Sequence, residues 1–203
     1  MADELLVLHA VRLKGMADDG QVAARFGLDL AATTEQLLDL EAYGRITRVE
    51  FADTKGWALT ERGKQHGEKL LATQLDGAGA RVDVARIHDD FLPWNTRLQQ
   101  ASTDWQLRPT ATDPLAVNQH DDPVWDGRVL TDLTRIDDAL HELNAQLADR
   151  LDRFEGYDVR FSTALSRVRA SDPRWINKVG ADSCHTVWME LHEDLLATLG
   201  IER

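Results

Sequence analysis

The chain has 203 residues, 43% hydrophobic and 29% charged, enough for one large domain or two small ones with a real core. Its net charge of -12 argues against a general polyanion binder, because attraction to phosphate supplies most non-specific nucleic-acid affinity. No apolar run approaches the roughly 20 residues of a membrane span, the opening "MADELLVLHAVRLKGMADDG" is too acidic for a signal peptide, and a single cysteine excludes an internal disulfide, so a cytoplasmic protein without membrane contact is expected.

The first predicted helix is "DELLVLHAVRLKG", with Leu5, Leu8 and Val11 or Arg12 at helical spacing. A second starts after Asp18 and Asp19, which suit an N-cap, and runs through "QVAARFG" to a stop at Gly27. A third spans about Ala31 to Tyr43, with Leu30, Thr34, Leu37, Leu38 and Leu40 expected in the core. After Gly44 the period changes from 3.6 to 2: "RITRVEF" reads as a strand, "ADTKG" as a turn and "WALT" as a returning strand. Thr60 then caps the helix "TERGKQHGEKLLATQLD", and "GAGA" (77–80) is the expected joint between segments.

Beyond the joint every element reads as helical. Pro93 is expected to interrupt "VDVARIHDDFLPWNTRLQQASTDWQL", and "RPTATDPLAVNQHDDP" is a long irregular connection, either a binding loop or a crossover. Val129, Leu133, Ile136, Leu140, Leu143, Leu147, Leu151 and Phe154 step by fours and threes, a narrow seam that suits either an internal bundle or a dimer. "VRFSTALSRVRA" and "DSCHTVWMELHEDLLATLG" complete the helices. The expected fold is mainly α: a winged helix of three helices plus a two-stranded wing in a domain at 1–76, followed by an all-α helical bundle domain at 81–203.

Three strings carry a family resemblance: "QVAARFGLD", "LLDLEAYGRITR" and "GWALTERG", within which "LTERG", Leu59 to Gly63, is the most specific piece. Over residues 3–75 the chain resembles winged helix-turn-helix bacterial transcriptional regulators of the MarR and PadR type, with Leu40, Gly44, Ile46 and Arg48 at the helix-to-strand transition. The resemblance implies an operator in double-stranded DNA, a third helix in the major groove and a homodimer spanning two half-sites. Thr33, Glu35 and Gln36 are then the base-reading candidates, matching a thymine methyl, cytosine N4 and adenine. The third helix holds no lysine or arginine, so the phosphate contacts fall to its flanks: Arg25, Arg45, Arg48, Lys55 at the wing tip, Arg62 and Lys64. The alternative is a winged-helix adaptor that binds protein and no longer DNA.

Five of the six tryptophans, Trp94, Trp105, Trp125, Trp175 and Trp188, lie beyond the joint, where they either fill a core or line a pocket for a small-molecule effector. His185 and His192 stand seven residues apart, about 10 Å along a helix, too far to share one metal ion. Cys184 reads as a packed thiol. No phosphate loop, nucleophile elbow or HExxH occurs, so the reading includes no catalytic set, no metal and no cofactor, and an enzyme is not expected.

Overall fold

The computed structural model describes residues 3–51, 54–170 and 172–202, with Phe51 and Thr54 described by their backbone alone. The fold is mainly α: three helices, a two-stranded antiparallel wing, and then a run of helices. The chain forms two compact units. One holds the residues up to Arg81 together with those from Glu193 onward; the other is Val82–His192. The sequence division at 81–203 therefore differs from the structure at its end, because the last turns of the final helix belong to the winged-helix unit.

In the first unit, α1 (Glu4–Lys14), α2 (Asp19–Arg25) and α3 (Leu30–Ala42) each begin on an aspartate cap. Asp3 accepts from the Leu5 and Leu6 amides, Asp18 and Gln21 form a reciprocal capping box, and Asp29 accepts from Ala32 N–H. Each cap satisfies amides that a helix start leaves without partners, worth about 1 kcal/mol. The three helices close over Val7, Leu8, Val11, Val22, Leu37 and Leu40. Burying each such side chain contributes about 1.5–3 kcal/mol.

The wing pairs β1 (Ile46–Phe51) with β2 (Thr54–Leu59), Ile46 opposite Leu59 and Arg48 opposite Trp57. Two glycines set its place by close approach. At Gly56 a Cβ would fall 2.8 Å from the carbonyl of Ala17, which exchanges two backbone hydrogen bonds with Trp57. At Gly63, in α4 (Glu61–Gly77), a Cβ would fall 1.8 Å from the Arg45 carbonyl. Those contacts explain why "GWALTERG" carries a glycine at each end. Thr60 caps α4 through Gly63 N–H, and its hydroxyl donates to the Gly44 carbonyl, so the helix start is tied to the strand start.

The last turns of α8 (Cys184–Leu199) supply this unit with a buried polar contact. Asp194 is fully buried, and its Oδ1 lies 2.9 Å from His9 Nε2. Its neighbour Glu193 accepts from Arg12 Nε at 2.9 Å.

The second unit is built from α5 (Arg81–Gln106), α6 (Pro123–Ala148), α7 (Tyr157–Arg169) and the first turns of α8. Pro93 does not interrupt α5. Its missing N–H removes the hydrogen bond to the carbonyl of Asp89, an exposed residue, and the helix continues through it. The α6 seam is buried throughout, and Leu151 and Phe154 extend it into the short helix Asp152–Phe154. Because those side chains are consumed inside the unit, the seam is an intramolecular core and not a dimer surface.

Candidate nucleic-acid interface

The presented face of α3 follows from its burial pattern. Thr33, Leu37 and Leu40 point inward at steps of four and three, leaving Ala31, Glu35, Leu38, Asp39 and Ala42 outward. Glu35 is therefore exposed and Gln36 half-buried. Thr33 is a correction: it is fully buried, and its hydroxyl donates to the Asp29 carbonyl at 2.8 Å, so it cannot reach a base. Leu30 and Leu38 are corrections in the opposite sense, since both are exposed, Leu38 by 45%. Thr34 is half-buried and donates to Asp19 Oδ2, which joins α3 to the start of α2. The outer face of α3 is thus acidic and partly apolar, with Tyr43 exposed at its end.

The expected cationic rim divides into three kinds. Arg25 is a correction: its side chain is 3% exposed, its guanidinium lies over the Phe26 ring at 4.4 Å and 3.9 Å from Asp194, and it is unavailable to phosphate. Arg45 is mostly covered, pairs with Glu4 and stands 5.2 Å from the Tyr43 ring. The remaining four are exposed. Arg48, 63% exposed, lies over Trp57 at 4.6 Å and 3.4 Å from Glu41. Lys55, 73% exposed, is a second-strand residue facing Glu50 at 2.9 Å, not a tip residue; Ala52 and Asp53, expected in the turn, lie outside the described residues. Arg62 and Lys64 are exposed on the first turns of α4 and have no ion pair among the described residues.

Exposed ion pairs contribute about 0–1 kcal/mol, so neither Glu41 nor Glu50 holds its cation against a phosphate. The carboxylates nevertheless keep the local charge near neutral. Between wing and α2 runs an open groove of about 500 Å³, lined by Asp18, Asp19, Arg48, Lys55 and Trp57 among others. The Trp57 indole N–H donates to Asp19 Oδ1 at 2.7 Å, which fixes the ring as the floor beneath Arg48.

The five tryptophans of the helical unit do not form one pocket. Trp188 is a correction: it is fully buried, stacks on Phe91 at 4.7 Å and donates to Asn95, which makes it a core residue. Trp175 is held between Arg167 and Lys178, and Trp94 lies beside Arg97. Trp125 donates to the Asp104 carbonyl, and Trp105 packs against the ring of His120. Among the described residues no two of the five indoles are in ring contact. Burial pushes the Cys184 thiol up to about 12 and lowers the His185 imidazole from its usual value. Among the described residues no group of three or more His, Cys, Asp or Glu is gathered as a metal site, and no helix is long and apolar enough to cross a membrane.

Reading the sequence missed two features. One is the exposed apolar part of α3, because an apolar residue on a short amphipathic helix is assigned to the core by default. The other is the pairing of His120 with Asp126 and Trp105, for which "VNQHDDPVWD" carries no spacing signal. Comparison with known proteins finds no matching family model, no matching curated protein and no matching solved structure.

Proposed function

We propose that the chain is a DNA-binding transcriptional regulator that inserts α3 into the major groove and steadies it with the wing. The observation that carries this reading is the exposed set Glu35, Arg48, Lys55, Arg62 and Lys64, with half-buried Gln36 beside Glu35, on one winged-helix unit. The strings shared with regulators of the MarR and PadR type support it. Base readout falls to Gln36 and Glu35, and phosphate contact to the four exposed cations. A homodimer would bind two half-sites about one turn of DNA apart, through a surface other than the α6 seam. The helical unit serves sensing, dimerisation or both.

The test is fluorescence anisotropy with the DNA upstream of the chain's own gene across a salt series. Each phosphate-bound cation contributes about 0.9 to the slope of log K against log salt. Changing Arg48, Lys55, Arg62 and Lys64 together to Ala should flatten that slope, while Gln36→Ala should weaken specific binding with the slope retained. Binding that the fourfold variant leaves unchanged sinks the contact set.

A second reading, a protein-binding adaptor, is favoured by the outer face of α3, where Leu30, Leu38 and Tyr43 are exposed beside Glu35 and Asp39. A folded chain that binds no DNA even at low salt would favour it.

A further inference from the structure

The connection between α5 and α6 is stitched back to the end of α5. Leu107 and Val117 form a bridge, Arg108 N–H donates to the Ala116 carbonyl, and Asn118 N–H donates to the Gln106 carbonyl. Just beyond this stitch stands His120, with φ at +57°, the one non-glycine residue at positive φ among the described residues. A side chain in that region is strained, and such residues persist only where the surroundings hold them.

What holds His120 is its backbone N–H, which donates to Asn118 Oδ1 at 3.1 Å, together with its imidazole. The ring lies on Trp105, with centroids 4.4 Å apart and planes inclined by 37°. Its Nδ1 is 3.0 Å from Asp126 Oδ2. Buried Asn118 sits behind both: its amide donates its two hydrogens to Asp126 Oδ1 at 2.9 Å and the Trp105 carbonyl at 3.2 Å. Asn118 Nδ2 also stands 3.3 Å from His120 Nδ1, but a carboxylate can only accept, so the bond between His120 and Asp126 takes its proton from Nδ1. The side chain is still 40% exposed, and Nε2 has no hydrogen bond among the described residues. A ring that is exposed, strained at its own backbone and held through one nitrogen, Nδ1, against Asp126 and the Asn118 amide, and through one face on Trp105, behaves as an occupant, whereas Trp105, Asn118 and Asp126 form the walls.

We propose that His120 fills, as a plug supplied by the chain itself, a binding site for a planar nitrogen heteroaromatic compound. Such a ligand lies flat on Trp105 and donates a ring N–H to Asp126 Oδ2, while His120 rotates outward to water. The bound imidazole shows the chemistry the site accepts: one flat ring, one N–H donor, and a preference for positive charge beside a carboxylate. The inference needs no DNA and does not rest on the regulator reading; if that reading holds, this is where its effector enters.

The test uses His120→Gly, which removes the plug and suits positive φ, so the loop keeps its backbone. Tryptophan fluorescence is titrated with imidazole and with benzimidazole, in the absence of DNA. The variant should bind imidazole about tenfold or more tightly than the native chain, since a charge-assisted hydrogen bond and a stacking face become open. Adding Asp126→Asn in that background should remove most of the gain. The native chain should bind benzimidazole weakly, with the His120 ring signals shifting in NMR as the plug leaves. A folded His120→Gly with no saturable response to either compound overturns the site, and binding to the variant with none to the native chain overturns displacement. A failed DNA-binding assay leaves both results standing.

Discussion

Helices α3 and α6 both carry leucines at helical spacing, yet they put them to different use. On α6 the seam residues Val129, Leu133, Ile136, Leu140, Leu143 and Leu147 are all buried within their own unit. On α3 only Leu37 and Leu40 are buried, while Leu30 and Leu38 face outward beside Glu35 and Asp39. The difference separates a helix that completes a core from one that leaves apolar and acidic side chains in water. A seam already filled by its own unit cannot also join two copies, however regular its spacing. An exposed face of mixed chemistry is where an unpartnered domain carries its binding function.

The sharpest way to break this contrast is to shorten one leucine on each helix. Leu140→Ala leaves a cavity in a packed core and should cost about 2–5 kcal/mol in denaturant unfolding. Leu38→Ala should cost about 1 kcal/mol or less, because nearly half of its surface is already in water. Equal losses would show that α3 buries its outer leucine, and the interface reading would fall with it. Next in size is Gly63→Ala. The new methyl group meets the Arg45 carbonyl, which is backbone and has no rotamer to yield, so a loss of about 1–3 kcal/mol is expected. A thermal midpoint like that of the native chain would mean that α4 is free to slide away from the strand. Thr60→Ala, which deletes the cap of the same helix, should cost about 1 kcal/mol.

These residues also mark how far the sequence could be read. Gly56 and Gly63 are legible only as letters of a wing string, since the backbones they approach, at Ala17 and Arg45, lie far along the chain. Thr60 is legible because its role is local, a cap three residues away. The order of helices and strands is legible for the same reason. The inward direction of Thr33 and the burial of Arg25 are not. Threonine enters the core because its hydroxyl returns to the Asp29 carbonyl of its own helix, which removes the polar cost that makes it look like a surface residue. Arg25 is buried beside Asp194, far along the chain, and no periodicity near Arg25 announces that partner. Electrostatic partners of this kind cross the whole sequence, so a rim counted from local charges overstates what phosphate can reach. Of the six cations expected on the rim, four remain exposed, and two of those four stand next to a carboxylate.

The smallest expected effect on stability tests those carboxylates directly. Changing Glu41 and Glu50 together to Gln frees Arg48 and Lys55 without altering side-chain size. Both pairs are exposed, so unfolding free energy should change by less than about 1 kcal/mol. DNA affinity at low salt should nevertheless rise, by roughly fivefold if each lost charge had opposed a phosphate across a few ångströms of water. The gain should shrink as salt is raised and the screening length falls below the spacing of these groups. A core change such as Leu140→Ala should show the reverse pattern, large in stability and small in the affinity of the chain that remains folded. If the double Gln variant binds DNA no better at any salt, Arg48 and Lys55 do not meet phosphate, and the exposed face of α3 belongs to a protein partner instead.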